Sequence, residues 1–547
     1  MKTSKLNFHL NLIVCLLGLL ITSCTEEELM PLDVISNQQS DQWQEIIPDL
    51  IFDSSIIVPV DGSVQEAVNA AQPGEAIIIE AGAYQEDVTI EKAGLILIGL
   101  DGTNGEKVVI ENMTTTNSNV EIVNIQKANE AFISQRPKVR TKNRFFHMTR
   151  RQVARGIAHY QFLVRLGGDE FDLVKIHRVV KEYRPYQPVR TEGAVFMVHG
   201  AQQDFDDIFL QAGNEQLPTA QTSSPVYLAA NHIDVWGIDL GWTRVPVETS
   251  DFSFMADWGV ERDVDHTLAS MTIARLIRGL TGQGFGRLNL LGFSYGVAVS
   301  YAAAGRETQQ RRIKRDIKGL IAVDGLIKYA PEDDVFRATA CDRSAGILAM
   351  INSGVFHQSN GLQGILFGEL ALNAPDEPSD FIPGLTNFQS ALFIGTNASP
   401  APQAPFWHFV AGDLTEPTDI PNELLYTDPD RWFRLLASLA PYQPLQTLYD
   451  LTASQCDEVE VSIDDHLAEI RVPILYLGAG GGNGGQGNHN SSLTASTDIS
   501  HYIASLEPPE KRFIDFGHAD LFLANNADQL VWEVLRQWLA EHGKYAS

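Results

Sequence analysis

The sequence predicts an α/β protein: a mostly parallel sheet covered by helices on both faces, interrupted by a large cap insertion and preceded by a small all-β module. Three observations predict it. From about Tyr160 onward, apolar runs of strand length alternate with helical patterns, as in a sheet wound with crossover helices. One of these strands, Arg287-Leu288-Asn289-Leu290-Leu291, runs directly into Gly292-Phe293-Ser294-Tyr295-Gly296 and then into a small-residue helix from Val297 to Ala304. Earlier, between Val60 and Val123, short apolar strands recur at a spacing that suits stacked coils rather than hairpins.

At 547 residues the chain is long for one domain, and 44% hydrophobic with 20% charged residues is the balance of a folded protein. A formal net charge of -29 repels a phosphate backbone, so nucleic acid is excluded as a partner. Lys2 and Lys5 precede an apolar run from Leu12 to Ile21 that is too short to span a bilayer, which is the pattern of a signal peptide. It ends in Ile21-Thr22-Ser23-Cys24, which resembles the lipobox of bacterial lipoproteins. That resemblance implies that Cys24 carries lipid and becomes the mature N-terminus, and that the protein sits in the cell envelope, anchored to the outer membrane. The run Thr25-Glu26-Glu27-Glu28 is similar to the acidic surface-export signal of Bacteroidetes lipoproteins; a plain solvated charge run is the alternative.

The expected organisation is a signal peptide over 1–23, a lipid-anchored tether over 24–57, the β-rich module over 58–130, a linker over 131–157, and a catalytic domain over 158–547 with its cap at 325–471. With Cys15 lost and Cys24 acylated, Cys341 and Cys456 remain in the folded part, and an oxidising compartment would allow them to pair.

In the module, Ser63 and Glu66 stand at capping-box spacing ahead of Val64, Ala67, Val68 and Ala71, and Pro73-Gly74 stops the helix. The strands that follow are Ile77–Ile79, Val88–Ile90, Leu95–Ile98, Val108–Ile110 and Ile122-Val123. The stretch from Asp61 to about Asn112 resembles the opening of a right-handed parallel β-helix of carbohydrate-active proteins. The later coils that carry catalytic carboxylates in those proteins do not follow, so the resemblance implies architecture and no activity. A spacer role fits it better than glycan binding.

After a basic connection from Arg136 to Arg155, Tyr160–Arg165 and Phe171–Val180 read as an opening pair of strands. Ala194–Val198 is a continuous apolar run, as a central parallel strand should be, and ends in His199-Gly200. Ile233–Ile238, a helix through Ala269 to Ile277, and the strand before Gly292 complete the series. The glycines of Gly292-Phe293-Ser294-Tyr295-Gly296 leave room for a tight strand-to-helix turn on which a serine is held in strained backbone. Arg512–Phe516 reads as a final strand, with Gly517-His518-Ala519-Asp520 at its end and an apolar helix face of Val531, Val534, Leu535 and Trp538 behind it.

On these residues the chain, from about 158 to 545, resembles the α/β-hydrolase superfamily. The resemblance implies Ser294 as nucleophile, His518 as general base, and the backbone N–H groups of Tyr295 and Ala201 as oxyanion hole, with His199 structural. It implies an esterase-type acyl transfer that needs no metal or organic cofactor, acting on a small-molecule or lipid-like ester. A peptidase or amidase is the nearest alternative, and a noncatalytic surface protein binding glycan or lipid is the alternative from another class. The acid departs from the common pattern. The strand Val472–Leu477 ends in Gly478-Ala479-Gly480-Gly481-Gly482-Asn483-Gly484-Gly485, which reads as a mobile loop and carries no carboxylate. Asp324, one strand earlier, is the expected acid, with Asp498 in reserve. Between Gly325 and Arg471 lie about 145 residues, far beyond loop length, which should form the cap. Its Phe356, Phe406, Trp407, Phe409, Trp432 and Phe433 either line a substrate pocket or form the cap's own core.

Overall fold

The computed structural model describes residues 55–100, 102, 106–116, 119–128, 146–211, 219–396, 407–417 and 419–543. The expected signal segment, Cys24, the acidic run behind it and residues 129–145, which include the first part of the basic connection, lie outside the described residues.

The module opens with β1 (Ser55–Val58) and a short helix α1 (Val64–Ala70), capped by the Ser63 side chain, which accepts the Glu66 N–H. Then come β2 (Ala76–Ile79), β3 (Gly82–Ile90), β4 (Ile96–Gly99), β5 (Val108–Thr115), β6 (Glu121–Val123) and β7 (Ile125–Lys127). They pair in parallel as two sheets, β1-β2-β4-β6 and β3-β5-β7, so that each turn of chain gives one strand to each sheet. Ile77, Ile79, Val88, Ile90, Leu97, Val108 and Ile110 point into the coil, and Val64, Ala67 and Val68 of α1 pack against the same core. So few coils bury little surface alone. The outward Ile57, Ile78 and Ile98 pack instead on Leu276 and Phe285 of the second half, and Lys314 Nζ bonds both carboxylate oxygens of Glu75 at 2.9 and 2.7 Å.

The second half is built on one ten-stranded sheet. Its antiparallel edge comprises β8 (Phe146–Ala154), β9 (Ile157–Arg165), β10 (Leu173–Arg184) and the two-residue β11 (Gln187–Pro188). The segment expected as a linker thus supplies an edge strand. Only Met148 and Val153 of this strand are buried, with half-buried or exposed residues between them, so it lacks the continuous apolar run of an inner strand. The parallel part starts with β12 (Gly193–Val198) and β13 (Ile233–Asp239). It continues past helix α2 (Val260–Leu280) with β14 (Leu288–Phe293), helix α3 (Tyr295–Thr308) and β15 (Ile317–Val323). After the cap, in which β16 (His357–Gln358) pairs with β17 (Gln443–Pro444), the sheet closes with β18 (Ile474–Ala479) and β19 (Ile499–Ala504). The order is β19-β18-β15-β14-β12-β13-β10-β9-β8, with every pair from β13 to β19 parallel. Every residue of β12, β13, β14 and β18 is buried, and apart from Asp234, Asp239 and Asn289 they are apolar or glycine, which is why these strands read as apolar runs. This is the α/β-hydrolase architecture.

The last strand lies elsewhere than expected. Pro509–Ile514 is a 3-10 helix, started by Pro508-Pro509, whose fixed φ suits a helical first turn, and β19 is the sheet's edge strand. With Ile499, Ser500 and His501 exposed, β19 has none of the pattern of a buried parallel strand.

The cap contributes helices α4 (Asp334–Asn352), α5 (Asn360–Asn373), α6 (Pro429–Ala437) and α7 (Leu445–Cys456). A disulfide between Cys341 of α4 and Cys456 of α7 closes a span of 115 residues. Trp432 and Phe433 are buried in a hydrophobic core that the cap shares with the sheet, with Trp432 Nε1 donating to Ala391 O at 2.9 Å, whereas Phe406 lies outside the described residues. Replacing both cysteines by serine frees that loop in the unfolded chain and should lower stability by about 2–4 kcal/mol, read as the shift in a urea unfolding midpoint; an unchanged midpoint contradicts this.

Candidate active site

Ser294, Tyr295, Ala201, Asp324 and His518 sit where β12, β14, β15 or the loop beyond β19 leaves the C-terminal edge of the sheet, whereas Asp498 precedes β19. Ser294 follows β14 directly and caps α3 with φ 54° and ψ -118°, a conformation that L-residues seldom adopt. Two glycines make this turn feasible. A Cβ on Gly292 would stand 2.0 Å from Gly296 O, and one on Gly296 would stand 2.3 Å from Val198 O, both far inside contact distance. Ser294 is therefore lifted, half-buried, onto the rim.

Asp324 follows β15, also at positive φ (43°), and is fully buried. Its Oδ2 lies 2.6 Å from His518 Nδ1. Its Oδ1 accepts the backbone N–H groups of Ala479 at 2.8 Å and Asn483 at 3.0 Å, and its own carbonyl accepts Asn483 Nδ2 at 2.7 Å. The glycine run is thus a fitted cradle rather than the mobile loop expected from composition. A Cβ on Gly482 would stand 2.2 Å from Asp324 Oδ2, so only glycine lets the backbone close around the carboxylate. Asp498, the reserve acid, is exposed and pairs with His542 Nε2 at 3.2 Å.

His518 is buried among rings: Phe293, next to Ser294, lies nearly parallel to it at 4.5 Å, Trp407 stands at 5.0 Å and Phe409 at 6.0 Å. With Nδ1 on Asp324, Nε2 is the nitrogen left to exchange a proton. Trp407 and Phe409 come from the cap, whose backbone is knitted to the histidine loop: His518 N–H donates to His408 O at 3.0 Å and Ala519 N–H to Phe409 O at 2.7 Å. Across the site, Ala440 N–H of the cap donates to Gln202 O at 2.7 Å, so the cap grips the loop after β12 as well.

That loop abuts the serine. A Cβ on Gly200 would stand 3.0 Å from Ser294 Cβ. Ala201 follows it, and Tyr295 opens α3; neither backbone N–H is taken by a protein acceptor among the described residues. The Tyr295 ring is held from behind by its hydroxyl, which donates to Asp263 Oδ2 at 2.7 Å, and Trp242 Nε1 donates to the same oxygen at 3.2 Å. His199 is buried and neutral: Nε2 accepts the Leu240 N–H at 3.1 Å, Nδ1–H donates to Gly200 O at 2.8 Å, and burial lowers its pKa to about 4.

Asp520 is a member that the sequence reading quoted without a role. Its carboxylate accepts Gly517 N–H at 2.7 Å, Ala411 N–H at 3.0 Å and the Thr427 hydroxyl at 2.5 Å, tying the histidine loop to two cap segments. Its position three residues beyond Gly517 signals a side chain that turns back on the loop's own backbone, but the cap partners are visible only in three dimensions. Burial pushes the Asp520 carboxyl up to about 6, against these three hydrogen bonds.

No protein-family model matches the chain, and no curated protein sequence does either. Among solved structures it is similar to a Sulfolobus solfataricus protein assigned as a lipase, at 19% identity and a TM-score of 0.49, over 73% of this chain and 99% of that one. It is also similar to a soluble variant of the Saccharomyces cerevisiae monoglyceride lipase, at 14% identity and TM-score 0.36 over 69% and 94%, and to the Paleococcus ferrophilus monoacylglycerol lipase, at 13% and 0.32 over 65% and 97%. The fold assignment rests on the sheet order and the elbow.

An unfolded aspartate ionises near 3.9, so between that pH and about 6 the unfolded chain has released the Asp520 proton while the native state keeps it. Stability therefore falls as pH rises through this window, by roughly 3 kcal/mol in total. In Asp520→Asn, the fall in unfolding free energy between pH 4 and pH 7 should be smaller by about that amount; an identical fall would refute the assignment.

Proposed function

We propose that the protein is a serine hydrolase that cleaves a carboxylic ester through an acyl-enzyme. The observation that carries this reading is the 2.6 Å contact between Asp324 and His518 on the same sheet edge as a serine held in a strained elbow. The carboxylate keeps the imidazole in the tautomer with Nδ1–H, and Nε2 takes the Ser294 proton as Oγ bonds to the substrate carbonyl carbon. The N–H groups of Ala201 and Tyr295 receive the oxyanion, each contributing about 3 kcal/mol to the barrier reduction in comparable sites. The C–O bond to the leaving alcohol then breaks as the alkoxide takes the proton from His518. Water, deprotonated by the same imidazole, releases the acid and restores Ser294.

A fluorophosphonate probe should label the wild type and leave Ser294→Ala unlabelled; absence of label on the wild type would favour a noncatalytic binding pocket. With an aryl ester, Asp324→Asn should lower kcat by about 10³- to 10⁴-fold, whereas Asp498→Asn should stay near the wild type; the reverse ranking would reject the assignment of the acid. Aryl amides assayed beside the esters separate esterase from amidase.

We also propose, on the lipobox-like Ile21-Thr22-Ser23-Cys24 alone, that the protein is carried in the cell envelope on a lipid at Cys24. Radiolabelled palmitate should be incorporated by the wild type in a bacterial host and not by Cys24→Ala; equal labelling of the two would overturn this.

A further inference from the structure

We propose that His159, His177 and Asp206 form a binding site for one divalent transition-metal ion of the zinc class, separate from Ser294 and His518. His159 on β9 and His177 on β10 project from neighbouring antiparallel strands, both fully buried, with rings stacked at 5.2 Å and 10°. Asp206 starts the short helical turn Asp206–Leu210 that follows the Gly200–Gln203 loop. His159 Nε2 and His177 Nδ1 are 2.9 Å apart, and Asp206 Oδ1 lies 3.8 Å from the first and 3.9 Å from the second. A triangle of these sides has a point about 2.1 Å from all three atoms, the length of a bond from zinc to imidazole nitrogen or carboxylate oxygen.

The surroundings are arranged as a metal needs them. His177 Nε2 stands at an ion-pair distance of 2.9 Å from Asp239 Oδ1 without hydrogen-bond geometry, and a proton on Nε2 facing that carboxylate leaves the Nδ1 lone pair turned inward, as in the carboxylate–histidine–metal pattern. Gln161 Nε2 donates to Asp206 Oδ2 at 2.8 Å and orients that carboxylate, while Asp206 Oδ1 is buried without a hydrogen bond and has Arg151 Nη2 as an ion-pair partner at 3.5 Å, which the metal would displace. Two imidazoles with a single carboxylate suit zinc and its neighbours better than calcium or magnesium, which take oxygen sets.

One neighbour competes. Arg151 Nε–H donates to His159 Nδ1 at 3.2 Å, so the metal-free ring carries its proton on Nε2 and donates it to His177 Nδ1. Metal binding moves that proton across the ring from Nε2 to Nδ1 and expels the guanidinium, with no net proton released. The Arg151 side chain is 49% exposed and free to swing outward. Its removal should therefore favour the metal. The bound ion would pin β9 and β10 to the segment behind the Gly200–Gln203 loop, a structural role.

The purified protein, stripped with chelator and dialysed, is titrated with Zn²⁺ alone at neutral pH, with metal content, melting temperature and, for Co²⁺, the visible spectrum as readouts. One zinc per chain with a raised Tm is expected; His159→Gln and His177→Gln should each weaken binding by more than about tenfold and remove the visible Co²⁺ bands. Arg151→Ala, at the rim, should fold normally and bind more tightly. The proposal is overturned by a wild type that retains no zinc, or by histidine variants that bind it as the wild type does. Should the histidine variants fail to fold, Arg151→Ala decides: tighter binding than the wild type supports the site, and equal or weaker binding overturns it.

Discussion

A single buried carboxylate organises the second half of the chain. Asp324 has no solvent around it, so each of its lone pairs has to be met by a donor from the protein, and the donors come from separate parts of the sequence. Ala479 and Asn483 belong to the turn after β18, and His518 to the loop beyond β19. Meeting that demand brings three strand exits together and sets where the imidazole stands. The left-handed backbone at Asp324 and the glycines around it follow from the same demand, since no other residues allow so close a wrap.

The cap is joined to this centre by main-chain hydrogen bonds rather than by a hinge alone. His408 and Phe409 run beside His518 and Ala519, Ala440 holds Gln202, and the Asp520 carboxylate bridges Gly517 to Ala411 and Thr427. The cap therefore shares backbone bonds with both loops that carry the candidate catalytic groups, and its Trp407 and Phe409 are part of the wall around the base. The disulfide ties together the two helices farthest apart along the insertion.

The parts of this arrangement legible in the sequence are those dictated by local chain physics. A strand buried on both faces is apolar at most positions, and a serine in a sharp turn needs small flanking residues, so β12, β13, β14 and the elbow stand out from composition and order. What stayed hidden depends on partners remote in the chain. Asp324 is the expected acid from its place at a strand end, but only its contact with His518, and that of Asp498 with His542, separates it from the reserve. The glycine run read as looseness because its tightness comes from what it encloses. β8 and β19 escaped since an edge strand, wet on one side, lacks the apolar continuity of the strands within.

The position of the β-rich module has a geometric consequence. It rests on Phe285 and Lys314, residues on the segments that lead into β14 and β15, whereas Ser294 and Asp324 stand where those same strands end. The module and Ser294 thus occupy opposite poles of the sheet, separated by the length of a strand, about 20 Å. Contacts made by the module therefore fall on the pole of the sheet away from Ser294 and Asp324.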